Sequence, residues 1–342
     1  MISRLLRRLQ GRPASAPIAA ASVEDAVAMA DDAWTDMDDD APGDAVVLTT
    51  SELAAAFVRH LFGTPADAPV VDGMADDILD RLDAQMQRLD VARLPRLPAL
   101  VPQLLAALRR DDVDANAIAA VLARDPTLAG DVVRVANSAH YRRGGPINAL
   151  PQAVNTIGSD GLRYVVLTTV MRPILQADPS HQGAQSGARL AAQSETRTWL
   201  CGTLARGACD VGEAQLASVI ASTGASALMR MMSRPLLTDA AADPSFGPRF
   251  LALAAALSAR AAMHWRLGDA VCGALQTMTS DADDIAPLAR VLARADRLSM
   301  LHAMHRSGDV EPRAAIATTD DERRRDARLL ASIADVSAAA AA

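Results

Sequence analysis

The sequence predicts an all-α protein. Half of the 342 residues are hydrophobic but only 3% are aromatic, so the core must consist mainly of Ala, Leu, Val and Met. Such residues suit close-packed helices, whereas strands use more aromatic and β-branched side chains. Apolar residues also recur every three or four positions through most segments of the chain, which is the period of a helix.

The composition excludes several functional classes. All 34 basic residues are arginines, so the chain has no lysine for a P-loop, a kinase active site or a Schiff base. The net charge of −7 argues against a general nucleic-acid binder. No apolar run approaches the roughly 20 residues of a membrane span, and the arginine-rich start lacks the apolar core of a signal peptide. We therefore expect a cytoplasmic protein without a stable membrane anchor.

The N-terminal part divides into an arm and a pair of helices. Residues 1–48 combine Ala, Pro and Ser with an acidic stretch, which predicts a disordered arm. Thr49 and Glu52 have the spacing of a capping box, and apolar residues follow at four-residue intervals until Gly63. A second amphipathic pattern follows, so we predict N-terminal helices over 49–90.

The clearest helix start is the dipeptide Asp125-Pro126, a capping carboxylate followed by a proline at the first helical position. Asn137 and Ser138 are expected to end this helix, because both can satisfy backbone groups there. These residues and Arg124 have two interpretations that the sequence leaves open. They either stabilise the helix ends or contribute polar groups to a binding cleft.

A basic loop follows, in which Tyr141, Arg142 and Arg143 precede two glycines. Pro151 opens a short helix that Gly158 ends, and Ser159 caps the next helix. The arginine pair is either solvated or positioned to bind a phosphate, for example that of a cyclic dinucleotide.

The C-terminal half shows further helical patterns after a predicted loop at 176–188, which is rich in Gln, Ser, Gly and Pro. We predict helices at about 189–209, 213–232, 249–265, 268–279 and 283–305, with a loop at 233–248. The tail, 306–342, is predicted to be mostly disordered, with a possible helix at 320–333.

Five ordered blocks between positions 94 and 175 resemble the HDOD family. They are LPRLP at 94–98, ARDPTL at 123–128, VRVANSAHY at 133–141, INALPQAVNTIG at 147–158 and LR at 162–163, which includes Arg163. The resemblance implies an HDOD/HD-like helical bundle of two helical subdomains, related to the HD phosphohydrolases and used in bacterial signalling. It assigns 91–305 to the domain, with an N-terminal half at 91–175 and a degenerate HD-like half at 189–305.

HD phosphohydrolases hold their catalytic cations with several histidines and an adjacent His-Asp pair, but this chain has no His-Asp dipeptide. The resemblance places Ala221 and Ser222 at that pair. It places Cys201 at another histidine ligand, and Thr277 and Met278 at a further pair of histidines. Only Asp296 keeps a ligand-like carboxylate. We therefore predict no catalytic residue, no metal site and no cofactor.

These observations predict a non-catalytic signal-transduction module, a pseudoenzyme that binds regulatory proteins such as a response regulator, a nucleotide cyclase or a kinase. The candidate binding residues are Arg124, Asp125, Asn137, Ser138, Tyr141, Arg142, Arg143 and Arg163. The alternative is a nucleotide-binding sensor or a degenerate metal-dependent phosphohydrolase. It would need His302 and His305 with a further ligand, Asp296 or Asp309, or the Arg142/Arg143 loop, to act together.

Overall fold

The structure is a computed structural model, and it describes residues 46–90, 115–123, 126–138, 141, 145–175, 181–279, 285–310, 314–317 and 319–341. This part of the chain is helical throughout its regular structure, and its one isolated β-bridge joins Val47 to Ala315. The predicted all-α class is therefore confirmed. None of its helices combines the length and the hydropathy that a membrane crossing requires.

Twelve helices form within these residues. In chain order they are α1 (Thr50–Phe62), α2 (Met74–Arg88), α3 (Ala115–Leu122), α4 (Pro126–Ala136), α5 (Leu150–Leu175), α6 (His181–Leu204), α7 (Val211–Met231), α8 (Arg234–Ala240), α9 (Phe246–His264), α10 (Asp269–Thr277), α11 (Pro287–Ser307) and α12 (Asp320–Ala341).

Helix α1 begins and ends as its sequence predicts. The Thr49 hydroxyl accepts a hydrogen bond from the Glu52 amide at 3.2 Å, and the Glu52 carboxylate accepts one from the Thr49 amide at 2.9 Å. Gly63 ends the helix in the left-handed conformation, with φ at 67°, where glycine carries no Cβ penalty. The predicted capping box and the predicted stop are both confirmed.

Helices α3, α4 and α5 share one hydrophobic core, and α5 is interrupted inside it. Gly158 has φ 71° and ψ 178°, so the chain bends there between two helical stretches, as the predicted helix end requires. The core is aliphatic and includes Leu122, Leu128, Val132 and Leu162, all buried. Arg134 and Thr169 add a polar link, because both donate to the carboxylate of Asp131, at 2.8 and 2.9 Å.

Helix α7 is the centre of the second group of helices. Its side chains are buried without interruption from Ala214 to Leu228, so it has no solvated face along that length. It packs against α5, α6, α9, α10 and α11, while α1 and α2 cover α9 from the outside. Helix α5 contacts α6 and α7 and so joins the first group of helices to the second.

Three sequence-based expectations differ from the structure. The loop predicted at 176–188 is wrong from His181 onward, where α6 begins, because Ser186 is buried in the packed helix and tertiary contact outweighs weak propensity. The loop predicted at 233–248 contains α8, which buries Leu237. The tail helix extends to Ala341 rather than 333, in keeping with the high helix propensity of its alanines.

Candidate functional site

The predicted binding residues fall into two groups. Arg124, Asp125, Arg142 and Arg143 lie outside the residues that the structure describes. Asn137, Ser138, Tyr141 and Arg163 lie within them, on or between α4 and α5.

Asn137 closes the loop between α4 and α5. Its side-chain oxygen accepts a hydrogen bond from the Ile147 amide at 2.8 Å, and its side-chain nitrogen donates to the Ile147 carbonyl at 2.7 Å. The same nitrogen donates to the Val133 carbonyl at 2.9 Å. The carboxamide thus pairs with Ile147 as a neighbouring backbone would, and it holds the two ends of the basic loop together.

Ser138 and Tyr141 continue from this anchor. The Ser138 side chain is buried, and its hydroxyl has no hydrogen-bond partner among the described residues. The Tyr141 amide donates to the Ser138 carbonyl at 3.2 Å. The Tyr141 ring packs on α5 where a Cβ at Gly161 would lie 2.6 Å from the phenol oxygen, so the ring needs glycine beneath it.

Arg163 is not part of this cluster. Residues two positions apart on a helix are separated by about 200° around its axis. Arg163 therefore projects from a different side of α5 than Gly161, against which Tyr141 packs. Its side chain lies beside the start of α7, because a Cβ at Gly212 would be 3.4 Å from its Cδ and 3.2 Å from the Asp210 carboxylate. The structure therefore places Arg163 at the junction of the two groups of helices.

A second polar cluster lies in the core between α6, α7 and α11, and it centres on Arg197. Only 4% of this residue is exposed. One guanidinium nitrogen donates to Asp296 Oδ1 at 2.5 Å, and the other donates to the Ser218 carbonyl at 2.8 Å and to the Ser222 hydroxyl. Three helices therefore meet around one buried cation.

Gln193 completes the cluster one turn before Arg197. Its Nε2 donates to Asp296 Oδ1 at 3.1 Å and to the Ser299 hydroxyl at 2.7 Å. The Asp296 side chain, 14% exposed, thus accepts hydrogen bonds from two side chains of α6. A buried ion pair of this kind needs such additional hydrogen bonds to offset the desolvation of both charges.

Arg197 is not among the residues predicted from the sequence, although the sequence contains a signal that it is buried. Leu190, Ser194, Arg197 and Cys201 are spaced by four, three and four residues, so they share one face of a helix. Leucine and cysteine pack readily in a core, so an arginine on the same face must find a buried partner. The partner, Asp296, is 99 residues away and could not be identified from spacing.

The comparisons with known proteins fit this architecture. A family model described as the HDOD domain matches residues 94–280. This chain belongs to the HDOD family. None of the curated proteins matches it.

Three solved structures are similar to this HDOD chain. An HDOD domain protein of unknown function from Geobacter sulfurreducens has a TM-score of 0.52 at 18% identity, over 78% of this chain and 97% of that one. A protein from Shewanella amazonensis SB2B, provisionally named a metal-dependent phosphohydrolase, has 0.51 at 16%, over 78% and 99%. A provisionally named signal transduction protein from Marinobacter aquaeolei VT8 has 0.49 at 18%, over 79% and 68%. At these identities the likeness shows the fold alone.

The residues of this HDOD chain do not fit the metal of the HD phosphohydrolases. Ser222 and Asp296, which the resemblance places at metal-ligand positions, both accept hydrogen bonds from Arg197, and a guanidinium repels a divalent cation. Burial raises the pKa of the Cys201 thiol to about 12, so the thiolate that binds metals is strongly disfavoured. Ala221 and Met278 offer no hard donor. No group of three or more His, Cys, Asp or Glu within the described ranges could hold a metal.

Within the described residues, the histidines proposed as alternative ligands are not in any group of three or more His, Cys, Asp or Glu that could hold a metal. His302 is buried, and its pKa is lowered to about 4, first by burial and then by the nearby Arg306 and His305. Asp309, a candidate third ligand, lies instead 2.5 Å from Nδ1 of His60, a residue of α1. The Asp296 carboxylate is bonded to Arg197.

A cleft opens over the Arg197–Asp296 pair. Its volume is about 450 Å³, which includes the solvent at its mouth. The polar floor consists of Gln193, Arg197, Ser222 and Asp296, and the walls are mostly apolar side chains from α1, α6, α7, α9 and α11. An ion pair, Arg197–Asp296, therefore lies at the floor of this cleft.

Proposed function

We propose that this HDOD chain is a non-catalytic module of bacterial signal transduction that works in the cytoplasm by binding regulatory proteins. A response regulator, a nucleotide cyclase or a kinase of two-component or cyclic-di-nucleotide signalling is the expected partner. The chain thus retains the helical frame of a phosphohydrolase superfamily and uses it for recognition.

One observation carries the proposal. The guanidinium of Arg197 bonds to Asp296, Ser218 and Ser222, where an enzyme of the superfamily would gather ligands around a cation. Metal-assisted hydrolysis requires a cation that lowers the pKa of a bound water. Arg197 supplies a positive charge that has no coordination site for water, so it can hold the helices together but cannot generate a hydroxide.

We place the binding surface on the basic loop and its surroundings. Asn137 holds the ends of this loop together and Tyr141 packs on α5, so the ends of the basic loop are anchored. The other candidates for contact with a partner at this loop are Arg124, Asp125, Ser138, Arg142 and Arg143. Arg163, at the junction of the two groups of helices, is a separate candidate. Fixed loop ends reduce the conformational entropy that binding would cost.

The first experiment tests the absence of catalysis. The full chain is incubated with Mn²⁺ or Fe²⁺, desalted, and analysed for bound metal and for hydrolysis of cyclic dinucleotides. We expect well under one metal ion per chain and no turnover. Stoichiometric metal together with cyclic-dinucleotide hydrolysis would contradict the proposal and support the degenerate phosphohydrolase.

The second experiment tests the binding surface. Partners are captured with the tagged full chain from its source cells and quantified by mass spectrometry for the wild type, for R142A/R143A and for the control R81A/R88A, which removes two exposed arginines from α2. A signalling protein that the loop variant loses and the control retains is the expected result. Equal capture by all three chains would show that the loop does not contribute to the interface.

The same variants address the nucleotide-binding alternative by calorimetry with a cyclic dinucleotide. The adaptor proposal expects no heat of binding for any of the three chains. Binding by the wild type that R142A/R143A abolishes and R81A/R88A retains would identify a sensor instead.

A further inference from the structure

Helix α12 lies at the C-terminal end of the described chain and is attached to the rest through one narrow face. Among its described side chains, Asp326, Leu330 and Ile333 are buried. They are spaced by four and three residues, so they project from the same side of the helix. The first turns are otherwise charged, with ion pairs Arg323–Asp320 and Arg324–Asp321 within the helix itself.

The surface beneath α12 is composite. Helix α12 contacts α4 of the first group of helices and α6 and α11 of the second. An interhelical ion pair joins Asp326 Oδ1 to Arg294 Nη2 of α11 at 2.6 Å. Arg294 is 39% exposed whereas Asp326 is 9% exposed, so α12 brings its acid to a basic group at the edge of the surface.

The chain before α12 is fixed to the body of the protein. The Ala315 amide donates to the Val46 carbonyl at 3.0 Å, and the Leu48 amide donates to the Ala315 carbonyl at 2.9 Å. The contact of Asp309 with His60 secures the chain further upstream. A helix that left its surface would therefore remain tethered at Ala315, close to the place it had vacated.

Between Asp320 and Ile333, most of the described side chains of α12 are exposed or only partly buried. Among these residues, two buried aliphatic side chains and one partly exposed ion pair contact the rest of the protein, and the intrahelical pairs can persist when the helix detaches. A face held in this way can exchange one helix for another that presents the same groups. The contacts of α12 also define those groups: one acid, and two aliphatic residues four and seven positions later.

We propose that the surface under α12 is a docking site for an amphipathic helix of a partner protein, and that α12 occupies it until the partner replaces it. The partner helix carries an acidic residue for Arg294 and aliphatic residues at the positions of Leu330 and Ile333. The inference rests on the proposed adaptor function, since it specifies how access to a partner is controlled.

The test uses a fluorescent peptide with the sequence of residues 319–342 and the full chain. In the variant L330D/I333D two charges replace the buried aliphatic residues, so the chain's own helix is released. Fluorescence anisotropy should show that the peptide binds this variant about tenfold more tightly than the wild type, whose site is occupied intramolecularly. If the aspartates lower the thermal midpoint of the variant, L330A/I333A is measured in the same way.

A charge exchange shows whether the contact is specific. Adding R294D to the released variant should weaken peptide binding severalfold, and a peptide carrying Asp326→Arg should restore it. The control is R249D, because Arg249 is also a partly exposed arginine in an ion pair, with Asp76, on a helix that is remote from α12 in the contact pattern. This control should leave peptide binding unchanged.

Three outcomes overturn the inference. The first is a folded, released variant that binds the peptide no better than the wild type does, and the second is binding insensitive to Arg294. The third is a wild-type dimer in light scattering that both variants convert to monomer, since a second copy would then be the occupant. None of these results depends on metal content or on the capture experiments, so the adaptor function can fail or hold separately.

Discussion

At the scale of single residues, contacts decide between interpretations that the sequence leaves open. Asn137 was expected either to end a helix or to bind a partner, and its carboxamide is bonded to Ile147 and Val133. His302 was an alternative metal ligand, and its surroundings favour the neutral ring. In both cases the deciding groups lie close in space. They are also close in sequence, since Ile147 follows Asn137 and Arg306 follows His302 within a few turns of chain.

The pKa of His302 predicts a pH dependence of stability. Burial lowers this pKa to about 4 in the folded chain, while the unfolded chain protonates near 6.5. The unfolded state therefore binds more protons between these values, and stability present above pH 6.5 is lost as the pH falls toward 4. This histidine alone should account for about 3 kcal/mol of the loss.

The measurement compares the wild type with H302Q, whose side chain is uncharged at every pH. Urea unfolding followed by circular dichroism, at about pH 7 and at about pH 4.5, gives the change in the free energy of unfolding for each chain. Other groups, including His60, titrate in both chains and cancel in the difference. An identical pH dependence in the two chains would mean that His302 is protonated in the fold.

At the scale of elements, the crossing of α7 and α9 shows how small residues set the distance between helices. A Cβ at Gly224 would overlap the carbonyl oxygen of Ala254, so the two backbones meet directly there. The Ser258 hydroxyl accepts a hydrogen bond from the Gly224 amide and donates one to the Ala221 carbonyl, both at 2.9 Å. The contact lies beside Ser222 and thus positions one wall of the cleft.

This crossing predicts that G224A is strongly destabilising. The added methyl group would force α7 and α9 apart, and overpacking of this kind costs about 3 kcal/mol. The control is G273A in α10, where a Cβ meets nothing within 4 Å and alanine should stabilise the helix by roughly 0.5–1 kcal/mol. Thermal and urea unfolding of both variants should show changes of opposite sign in the free energy of unfolding. A loss for G224A no larger than that of a surface substitution would contradict the packing argument.

At the scale of the whole molecule, one buried ion pair joins the helices that surround the cleft. Arg197 comes from α6, Asp296 from α11, and the guanidinium also binds two residues of α7. The pair therefore cross-links these three helices. Its loss should affect the stability of the entire second group of helices.

Accordingly, D296N should lower the free energy of unfolding by about 3–5 kcal/mol, because the guanidinium would stay buried without a counter-charge. The control D76N removes an acid from an exposed pair with Arg249, and such pairs contribute less than about 1 kcal/mol. Urea unfolding measures both variants. Equal, small losses would show that Arg197 is solvated or neutralised by another group.

The sequence by itself determined the all-α class, the capping box at Thr49, the bend at Gly158 and the family, because these depend on short-range periodicity, backbone preferences and local motifs. Tertiary structure decided where α6 begins, how far α12 extends and which charged side chains lie at the floor of the cleft. Arg197 and Asp296 are far apart in the chain, and a pattern of spacing contains no information about which distant side chain a buried cation will meet. Only the packing of α6 against α7 and α11 creates that partnership.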